Sequence, residues 1–346
     1  MNKIEKGGFI GITMGDPGGI GPEISVKSSL YFIKSSSRIR PVIFGSSEHI
    51  GRVLSNAAGA YPPQNLIKPE SPLGTSYKDG CINIIDLSSK SYKSVKSGVA
   101  NPEFAKDVER FIEFAAEYSL AGKISGFATA PINKDMMLEG GAKFGGHTEL
   151  LGYLARSENF AMLFYSKKII IALSTIHIPV SEVSAKITKK SLEKIVGISI
   201  DSMKKDFGRI NPRIAVLGLN PHAGESGKIG KEEKDIIEPL VKEFEIREGA
   251  HIEGPFPADS FFAKKYKSFD LIISMYHDQA LIPFKLLSFG KGVNVTAGLK
   301  IIRTSPVHGT AYDIAGKNSA DFGSMVESIK LAAEISRNRN KWTEKL

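Results

Sequence analysis

The chain has 346 residues, of which 42% are hydrophobic and 24% are charged, a balance typical of globular proteins with one or two domains. No apolar stretch approaches the roughly 20 residues of a membrane-spanning helix, and the N-terminus lacks a signal-peptide pattern. The lone cysteine, Cys81, excludes an internal disulfide and favours a cytoplasmic location.

The formal net charge of +9 comes from lysines and arginines that are scattered along the chain. Modest basic groups occur at 186–190, 264–267 and 337–346, and most lysines and arginines lie outside them. A nucleic-acid-binding surface would show its positive charge clustered and interleaved with aromatic side chains. We therefore expect no nucleic-acid or membrane partner, and a surface with some attraction for small anions.

Short apolar, β-branched runs recur along the chain and are typical of buried strands. They lie at 9–14, 41–44, 82–86, 127–130, 161–165, 168–173, 213–219 and 270–275. Helical periodicity covers 101–123, 188–208 and 320–338. This alternation predicts an α/β fold with a largely parallel sheet. The adjacent runs 161–165 and 168–173 predict an antiparallel pair, and 57–80, rich in Gly, Pro and Ser, predicts a long loop.

The segment TMGDPGGIGPEI, residues 13–24, follows the first predicted strand and precedes a predicted helix, as a phosphate-binding turn does. Its glycines do not fit the G-x-G-x-x-G spacing of a dinucleotide-binding turn. Asp16 also places a negative charge where a pyrophosphate would lie. The segment therefore argues against a Rossmann domain, and its glycines need another explanation.

Three histidines come directly after predicted strands, namely His177, His222 and His277. Ligand sites of open α/β sheets form at the carboxyl ends of strands, and neutral imidazole is a common ligand of zinc-like ions. The separations of 45 and 55 residues match no local metal motif, so the position at strand ends is the stronger argument. For each histidine taken singly, a structural role is the alternative.

Two aspartates accompany this set. Asp278 adjoins His277, and Asp259 lies in GPFPADSFF. Either can orient an imidazole or ligate the ion itself. For Asp259 the alternative is an N-cap on a following helix.

A polar and cationic set follows towards the C-terminus: Lys285, Asn294 and Arg303. These residues suit a carboxylate or phosphate, which Arg303 can bind bidentately. We interpret Lys291 as a solvated surface lysine.

Two motifs at opposite ends of the chain carry a resemblance. PVHGTAYDIAGKNSAD (306–321) resembles the adenosine-binding loop of the isopropylmalate and isocitrate dehydrogenases, and GDPGGIGPEI (15–24) resembles the G-D-G-I-G-P-E segment near their start. This resemblance implies a nucleotide held mainly by the later loop, at His308, Gly309, Thr310, Ala311 and Asp313. It also implies two domains with mostly parallel sheets, flanking helices and an active site in the interdomain cleft. We expect a nucleotide-binding domain over 1–130 with 293–346, and a metal, substrate and dimerisation domain over 131–292.

The middle of the chain narrows the resemblance. TAPINKDMM, GGHTELL, TIHIPV, NPHAGE, GPFPADS, MYHDQALIPFK, GKGVNVTAGL and IRTSPVHGTA together resemble the family of 4-hydroxythreonine-4-phosphate dehydrogenases, enzymes of pyridoxal phosphate biosynthesis. The resemblance implies one divalent ion (Zn, Mg or Co) on His177, His222 and His277. It implies a homodimer whose active sites draw on both subunits. It also implies substrate contacts at His147, Thr148, Lys285, Asn294 and Arg303.

The activity implied is NAD- or NADP-linked oxidation and decarboxylation of 4-phosphooxy-L-threonine to 3-amino-2-oxopropyl phosphate. The metal would lower the pKa of the substrate hydroxyl and then stabilise the enolate. Lys285 is the candidate for proton transfer, with Asp259 and Asp278 as further catalytic candidates. Asp313 favours NAD, because its carboxylate would repel the 2′-phosphate of NADP, while Lys317 would offset part of that repulsion.

Alternative functions remain open. Relatives of the same family oxidise other phosphorylated sugar acids, such as 4-phospho-D-erythronate or phospho-D-threonate, and some act on ring cis-diols. Phosphate acyltransferases share the fold but need neither nicotinamide nor a histidine-bound metal, and the loop 306–316 disfavours them. A nucleic-acid binder would show salt-dependent binding to duplex DNA.

Overall fold

The computed structural model describes residues 8–56, 62–247, 250–288 and 290–344. The chain divides into two compact units: a first unit of Met1–Glu158 with Leu299–Arg337, and a second unit of Asn159–Gly298 with Asn338–Leu346. Residues 131–158, expected in the metal and substrate domain, lie in the first unit, whereas 293–298 and Asn338–Leu346, expected in the nucleotide-binding domain, lie in the second. The tasks assigned to the two domains stay predictions.

The first unit contains parallel strands in the order β3-β4-β2-β1-β5-β12. They are β1 Phe9–Thr13, β2 Arg40–Gly45, β3 Gln64–Ile67, β4 Ile82–Asp86, β5 Gly126–Thr129 and β12 Arg303–Pro306. All residues of β1 and β5 are buried, which explains why these strands have near-continuous apolar sequences. The predicted parallel arrangement is confirmed here.

The helices of the first unit are α1 Gly21–Lys34, α2 Ser47–Asn56, α3 Leu73–Ser76, α4 Ala105–Leu120, α5 Lys134–Glu139, α6 His147–Leu154 and the first part of α12 Gly323–Thr343. Three of them confirm predictions: α1 follows the glycine segment, and α4 and α12 match the periodicity of 101–123 and 320–338. The other four helices were not predicted. The helix predicted from residue 101 begins with a short 3₁₀ turn, Pro102–Phe104, where the side chain of Asn101 accepts a hydrogen bond from the Glu103 amide (3.0 Å). It continues as α4, whose buried face packs against β1, β2 and β5.

The second unit orders its strands β11-β6-β7-β10-β8-β9. They are β6 Ala161–Ser166, β7 Ile169–Leu173, β8 Arg213–Leu217, β9 His251–Phe256, β10 Leu271–Ser274 and β11 Val293–Ala297. The predicted antiparallel pair is confirmed as β6 and β7, which only a tight turn separates. β10 pairs in parallel with both β7 and β8, so these three strands end at the same edge.

The helices of the second unit are α7 Val180–Lys186, α8 Lys189–Lys205, α9 Glu238–Arg247, α10 Ala258–Ser260 and α11 His277–Ser288. A capping box fixes the start of α8, because Thr188 and Ser191 each bond the other's backbone amide with a side-chain oxygen (3.0 and 3.2 Å). The helix then packs against β6, β7 and β10. Within the described ranges, no helix is long and apolar enough to span a lipid bilayer.

The prediction of a long loop over 57–80 is wrong in part. Residues 57–61 lie outside the described residues, but β3 and α3 occupy much of the rest. The polar residue Asn65 of β3 is buried, and its amide donates to Asn83 Oδ1 and to the Ser76 carbonyl (both 2.7 Å). A short edge strand held by such bonds lacks the apolar pattern that predicts strands. β9, β11 and β12 were missed for a similar reason, since each is short and interrupted by polar residues, glycine or proline.

Candidate active site

Three histidine-bearing segments meet the same edge of the second unit. His177 follows β7, His222 follows β8, and His277 follows β10 as the first residue of α11. Since β7, β10 and β8 are neighbours and parallel, their carboxyl ends lie side by side. The placement at strand ends that the sequence predicts is therefore confirmed, although the metal itself stays a prediction.

Two of these imidazoles are in contact. The ring centroids of His177 and His277 are 5.8 Å apart, and two imidazoles on one tetrahedral ion would have centroids ~5 Å apart, given a metal–nitrogen distance of about 2.1 Å. Nδ1 of His277 is 2.7 Å from Oδ1 of Asp278, so Nε2 is the ring nitrogen that could serve a ligand. In the described part of the chain, no three His, Cys, Asp or Glu side chains already form a metal-binding group. The donor chemistry of the pair nevertheless fits a divalent ion.

Two side chains tie the ends of these strands together. Gln279 accepts from the Met275 amide with Oε1 and donates to the Gly218 carbonyl with Nε2 (both 2.7 Å), which joins the ends of β10 and β8. The hydroxyl of Thr175 donates to the Met275 carbonyl (2.7 Å), which joins β7 to β10. These bonds hold the three histidine segments in a fixed relation.

The backbone that carries His222 is left-handed. Residues from His222 to Ser226 all have positive φ, between 45° and 75°. Such a run is costly for residues other than glycine, so the surrounding structure has to hold it. The buried carboxylate of Glu233 supports the start of the turn, because it accepts from the Asn220 amide (2.7 Å) and side chain (2.9 Å).

The other predicted residues of the second unit lie on separate elements. Asp259 is exposed within α10, where Pro257 occupies the N-cap position, so the N-cap alternative for Asp259 is wrong. α10 packs against the His222 turn. Lys285 is exposed on α11, and Asn294 lies in β11 with a buried Oδ1 that has no hydrogen-bond partner among the described residues. The described contacts do not join these three side chains to the imidazoles.

The first unit contains a buried cationic pocket. Arg303 is 4% exposed at the start of β12, and its Nε and Nη2 both donate to Thr129 Oγ1 (3.1 and 2.7 Å) at the end of β5. His147 and Thr148 form the first turn of α6, and Nε2 of His147 is buried without a hydrogen-bond partner in the described ranges. The start of this helix and the guanidinium both favour an anion.

Electrostatics within this pocket set the protonation states. Burial, and then the positive charge of Arg303, hold the pKa of His147 well below its usual range. Burial lowers the pKa of Arg303 to about 10, while the carboxylate of Glu149 acts in the opposite direction. At neutral pH the pocket therefore offers a guanidinium cation beside a neutral imidazole, which suits a phosphate or carboxylate.

The late loop of the first unit carries the predicted nucleotide-binding residues. His308 has a buried Nε2 without a hydrogen-bond partner in the described chain, and a side chain added at Gly309 would meet only open space. Thr310 lies against the N-terminal glycine segment, since its carbonyl accepts from the Ile20 amide (2.9 Å). Asp313 is exposed and accessible to a ligand. The two motifs that resemble one family at opposite ends of the sequence are thus in contact.

Comparison with known proteins settles the family. Residues 37–332 match the family model described as "Pyridoxal phosphate biosynthetic protein PdxA". The chain belongs to the PdxA family.

Individual relatives of this PdxA chain agree. A 4-hydroxythreonine-4-phosphate dehydrogenase of Desulforapulum autotrophicum is 40% identical over 325 residues, which cover 94% of this chain and 94% of the relative. A D-threonate 4-phosphate dehydrogenase of Pectobacterium atrosepticum is 38% identical over 337 residues, which cover 97% of this chain and 100% of the relative. The crystal structure of 4-hydroxythreonine-4-phosphate dehydrogenase from Klebsiella pneumoniae superposes with a TM-score of 0.83 at 35% identity, and the match covers 95% of this chain and 99% of that one. The predicted family, dehydrogenase class and α/β fold are therefore confirmed.

Sequence reasoning missed several residues that organise this PdxA site. Thr129, Gln279 and Glu233 all hold other residues in place. Thr129 and Gln279 lie within the segments TAPINKDMM and MYHDQALIPFK that carry the resemblance, but nothing in those segments singles either residue out. Glu233 stands in the charged stretch KEEKD, which reads as a solvated surface, yet it is 1% exposed. A signal for such residues exists only once the neighbouring strands are known.

A buried histidine supports the glycine segment from below. Nε2 of His49 lies 2.9 Å from the Pro17 carbonyl, and because a carbonyl only accepts, this nitrogen carries the hydrogen. Burial lowers the pKa of His49 to about 4. The folded state therefore keeps this imidazole neutral under conditions where an unfolded histidine would be protonated.

This contrast predicts a pH-dependent stability. The contribution of His49 is fully present above the unfolded pKa of about 6.5 and is lost as pH falls towards the folded pKa. His49→Gln keeps a donor for Pro17 but cannot titrate. In urea unfolding, the free energy of unfolding should fall between about pH 7 and about pH 4.5 by roughly 2 kcal/mol more for the wild type than for this variant. His251→Gln, on an exposed strand position, serves as the control, and equal pH dependence of wild type and His49→Gln would contradict the assignment.

Proposed function

We propose that this chain oxidises and decarboxylates 4-phosphooxy-L-threonine to 3-amino-2-oxopropyl phosphate, with NAD or NADP as oxidant, in pyridoxal phosphate biosynthesis. The observation that carries the proposal is the placement of three histidine segments at the carboxyl ends of the adjacent strands β7, β10 and β8. The relatives named 4-hydroxythreonine-4-phosphate dehydrogenase support the choice of substrate. We also propose that the enzyme works in the cytoplasm, where its free Cys81 would stay reduced.

His177, His222 and His277 would hold one divalent ion of the Zn, Mg or Co type. When bound, such an ion supplies a Lewis acid for the substrate hydroxyl. Asp278 orients the ring of His277 through its hydrogen bond to Nδ1. Gln279 and Thr175 keep the histidine segments aligned through the strand ends.

The anionic groups of the substrate require cations and donors. Arg303 would bind a carboxylate or phosphate, with Thr129 fixing the plane of its guanidinium. His147 and Thr148 would add donors from the start of α6. Lys285 and Asn294 of the second unit are the further substrate contacts that the family resemblance implies.

Proton movements balance the reaction. The substrate hydroxyl loses its proton while the adjacent carbon gives a hydride to the nicotinamide, and the β-keto acid then loses carbon dioxide and gains a proton on carbon. Lys285 is the residue we assign to proton transfer, and Asp259 and Asp278 are the other candidates. Asp278 stands beside an imidazole, which favours an orienting role for it.

The coenzyme would be bound by the late loop at His308, Gly309, Thr310, Ala311 and Asp313. The orphaned Nε2 of His308 and the open space at Gly309 support this assignment, since both leave room and hydrogen-bonding capacity for a ligand. The exposed carboxylate of Asp313 can accept hydrogen bonds from ribose hydroxyls.

A second substrate is favoured by one comparison. The relative from Pectobacterium atrosepticum is named D-threonate 4-phosphate dehydrogenase and covers almost the whole chain. Phospho-D-threonate shares the phosphate and the hydroxy acid of the first candidate but lacks its amine. Only a direct comparison of substrates separates the two.

The deciding measurement is NADH formation with 4-phosphooxy-L-threonine, phospho-D-threonate and 4-phospho-D-erythronate, with and without chelator. We expect the highest kcat/KM for the first substrate, and loss of turnover in chelator that added Zn²⁺, Co²⁺ or Mg²⁺ restores. His222→Ala should abolish turnover, while His251→Ala, on the exposed edge strand β9, should not. Preference for phospho-D-threonate would transfer the assignment to the alternative, and full activity in chelator would exclude the metal role.

Coenzyme choice tests the role of Asp313. Two unit charges ~4 Å apart repel by about 4 kcal/mol at an effective dielectric near 20, which solvent at this exposed position reduces. We expect the wild type to have a higher kcat/KM with NAD than with NADP. Asp313→Ala should lower the NAD-to-NADP ratio of kcat/KM about tenfold or more. Lys317→Ala should raise this ratio, because the lysine would offset part of the 2′-phosphate charge. An unchanged ratio in Asp313→Ala would contradict this role.

We further propose a homodimer with active sites shared between subunits. Ile282 and Leu286 lie one turn apart on α11 and are 60% and 79% exposed, an arrangement that supports contact with another copy.

Sedimentation velocity tests this assembly. Wild type should sediment as a dimer, and Leu286→Glu should shift the population towards monomer, since burying a carboxylate against an apolar face is unfavourable. Ile210→Glu, at a position of the same unit that is 59% exposed but lies off α11, is the matched control. A wild-type monomer, or a Leu286→Glu variant as dimeric as wild type, would contradict the role of α11.

A further inference from the structure

The N-terminal glycine segment and the late loop are joined at two points of the first unit. The Ile20 amide donates to the Thr310 carbonyl (2.9 Å), and the hydroxyl of Tyr312 donates to Oδ2 of Asp16. Asp16 and Tyr312 are 296 residues apart in sequence. Neither residue belongs to the set that the family resemblance assigns to coenzyme, substrate or metal.

Asp16 is a fully buried carboxylate with a donor on each oxygen. Its Oδ1 accepts from the Gly18 amide (2.8 Å), and its Oδ2 accepts from Tyr312. A buried carboxylate is tolerated only where such bonds replace water. Burial raises the pKa of Asp16, and burial beside Asp16 raises the pKa of the Tyr312 phenol. The phenol therefore keeps its proton at neutral pH and donates a hydrogen bond to the carboxylate.

The glycines of the N-terminal segment allow other parts of the first unit to approach it closely. A Cβ at Gly19 would lie 2.9 Å from the Thr310 carbonyl oxygen, and one at Gly18 would collide with the Val99 carbonyl. The Gly98 amide donates to the Gly18 carbonyl (2.8 Å), and a Cβ at Gly98 would lie 2.9 Å from the Tyr312 carbonyl oxygen. Gly19 and Gly98 thus allow close packing against the late loop, and Gly18 allows it against Val99, the neighbour of Gly98.

Thr310 and Tyr312, which bond the glycine segment, flank a residue with a strained backbone. Ala311 has a φ of 44°, which a residue with a side chain rarely adopts, and it stands between Thr310 and Tyr312. Bonds on both sides of such a residue keep its backbone in one conformation. This conformation sets the directions of the amides from 309 to 313.

We propose that Asp16 and Tyr312 are positioning residues for the coenzyme: their hydrogen bond holds the late loop in the conformation that receives the nucleotide. The inference rests on the proposed function, in which the loop from His308 to Asp313 binds NAD. Neither side chain needs to touch the nucleotide, because the loop backbone transmits the effect.

Tyr312→Phe tests the inference by removing one hydroxyl and leaving the ring. NADH binding, followed by fluorescence titration without substrate, should weaken about tenfold or more, the loss expected for a hydrogen bond to a charged group. The KM for substrate should stay within about twofold of wild type, because the loop and not the Arg303 pocket is loosened. Amide hydrogen exchange over residues 309–316 should become faster.

Two further variants separate positioning from general loosening. Asp16→Asn should bind NADH nearly as wild type, since its oxygen can accept from Gly18 and its amide can donate to the Tyr312 oxygen. Asp16→Ala should weaken NADH binding as Tyr312→Phe does. Tyr92→Phe removes another buried tyrosine–aspartate bond of the same unit, from Tyr92 to Asp107 (3.1 Å), and should leave NADH binding unchanged.

The outcomes separate this inference from the proposed function. If Asp313→Ala weakens NADH binding but Tyr312→Phe does not, the positioning role is overturned and the coenzyme assignment stands. If Tyr312→Phe raises the substrate KM as much as the NADH Kd, or if Tyr92→Phe weakens NADH binding equally, general loosening is the cause and the inference is overturned. If wild type binds no NADH, the proposed function itself fails, and the inference with it.

Discussion

The candidate metal site depends on one constraint, the parallel pairing of β7, β10 and β8. Parallel strands direct all of their carboxyl ends to one edge, so residues far apart in sequence arrive there together without any local motif. Spacing along the chain carries no information in this arrangement, whereas position relative to strand ends carries most of it. Gln279 and Thr175 then convert adjacency into a fixed geometry. The side chain of Gln279 bonds backbone groups at the ends of β10 and β8, and the hydroxyl of Thr175, after β7, bonds the backbone at the end of β10. Loss of either bond would loosen a histidine segment without removing any of the candidate metal ligands.

Both units stabilise buried charged side chains in the same way. Arg303, Asp16 and Glu233 are all buried, and each is met by hydrogen-bonding groups from another part of its own unit. Burial makes every such bond costly to leave unmade, so these residues order the loops around them more strongly than apolar contacts would. The segments bonded to Asp16 and Glu233 carry residues that we assign to coenzyme and metal, and Arg303 is itself assigned to substrate.

The sequence predicts the parts of this molecule that follow from hydrophobic patterning and local chemistry. The strands at the buried centres of the sheets and the helices α4 and α8 were predictable, because their apolar runs and periodicity are local signals. So are Asn101, which caps the 3₁₀ turn before α4, and Thr188, which caps α8. β12 was not predictable, because its sequence RTSP contains no apolar side chain other than proline, although all four of its residues are buried. The bond between Tyr312 and Asp16 was equally hidden, because only the tertiary fold brings the ends of the chain together. The resemblance supplied the candidate ligands, and the structure supplied what holds them.

The left-handed turn at His222 constrains which sequences this site accepts. Five consecutive residues with positive φ exclude side chains branched at Cβ, whatever their chemistry, because the branch would collide with the backbone. Substitution tolerance at 223, 225 and 226 is therefore governed by backbone shape and not by contact with a ligand. A library of variants across this turn would be depleted of valine, isoleucine and threonine even at positions whose side chains face solvent, and enriched in glycine, asparagine and aspartate. The turn thus narrows the evolutionary routes by which the surroundings of His222 can change.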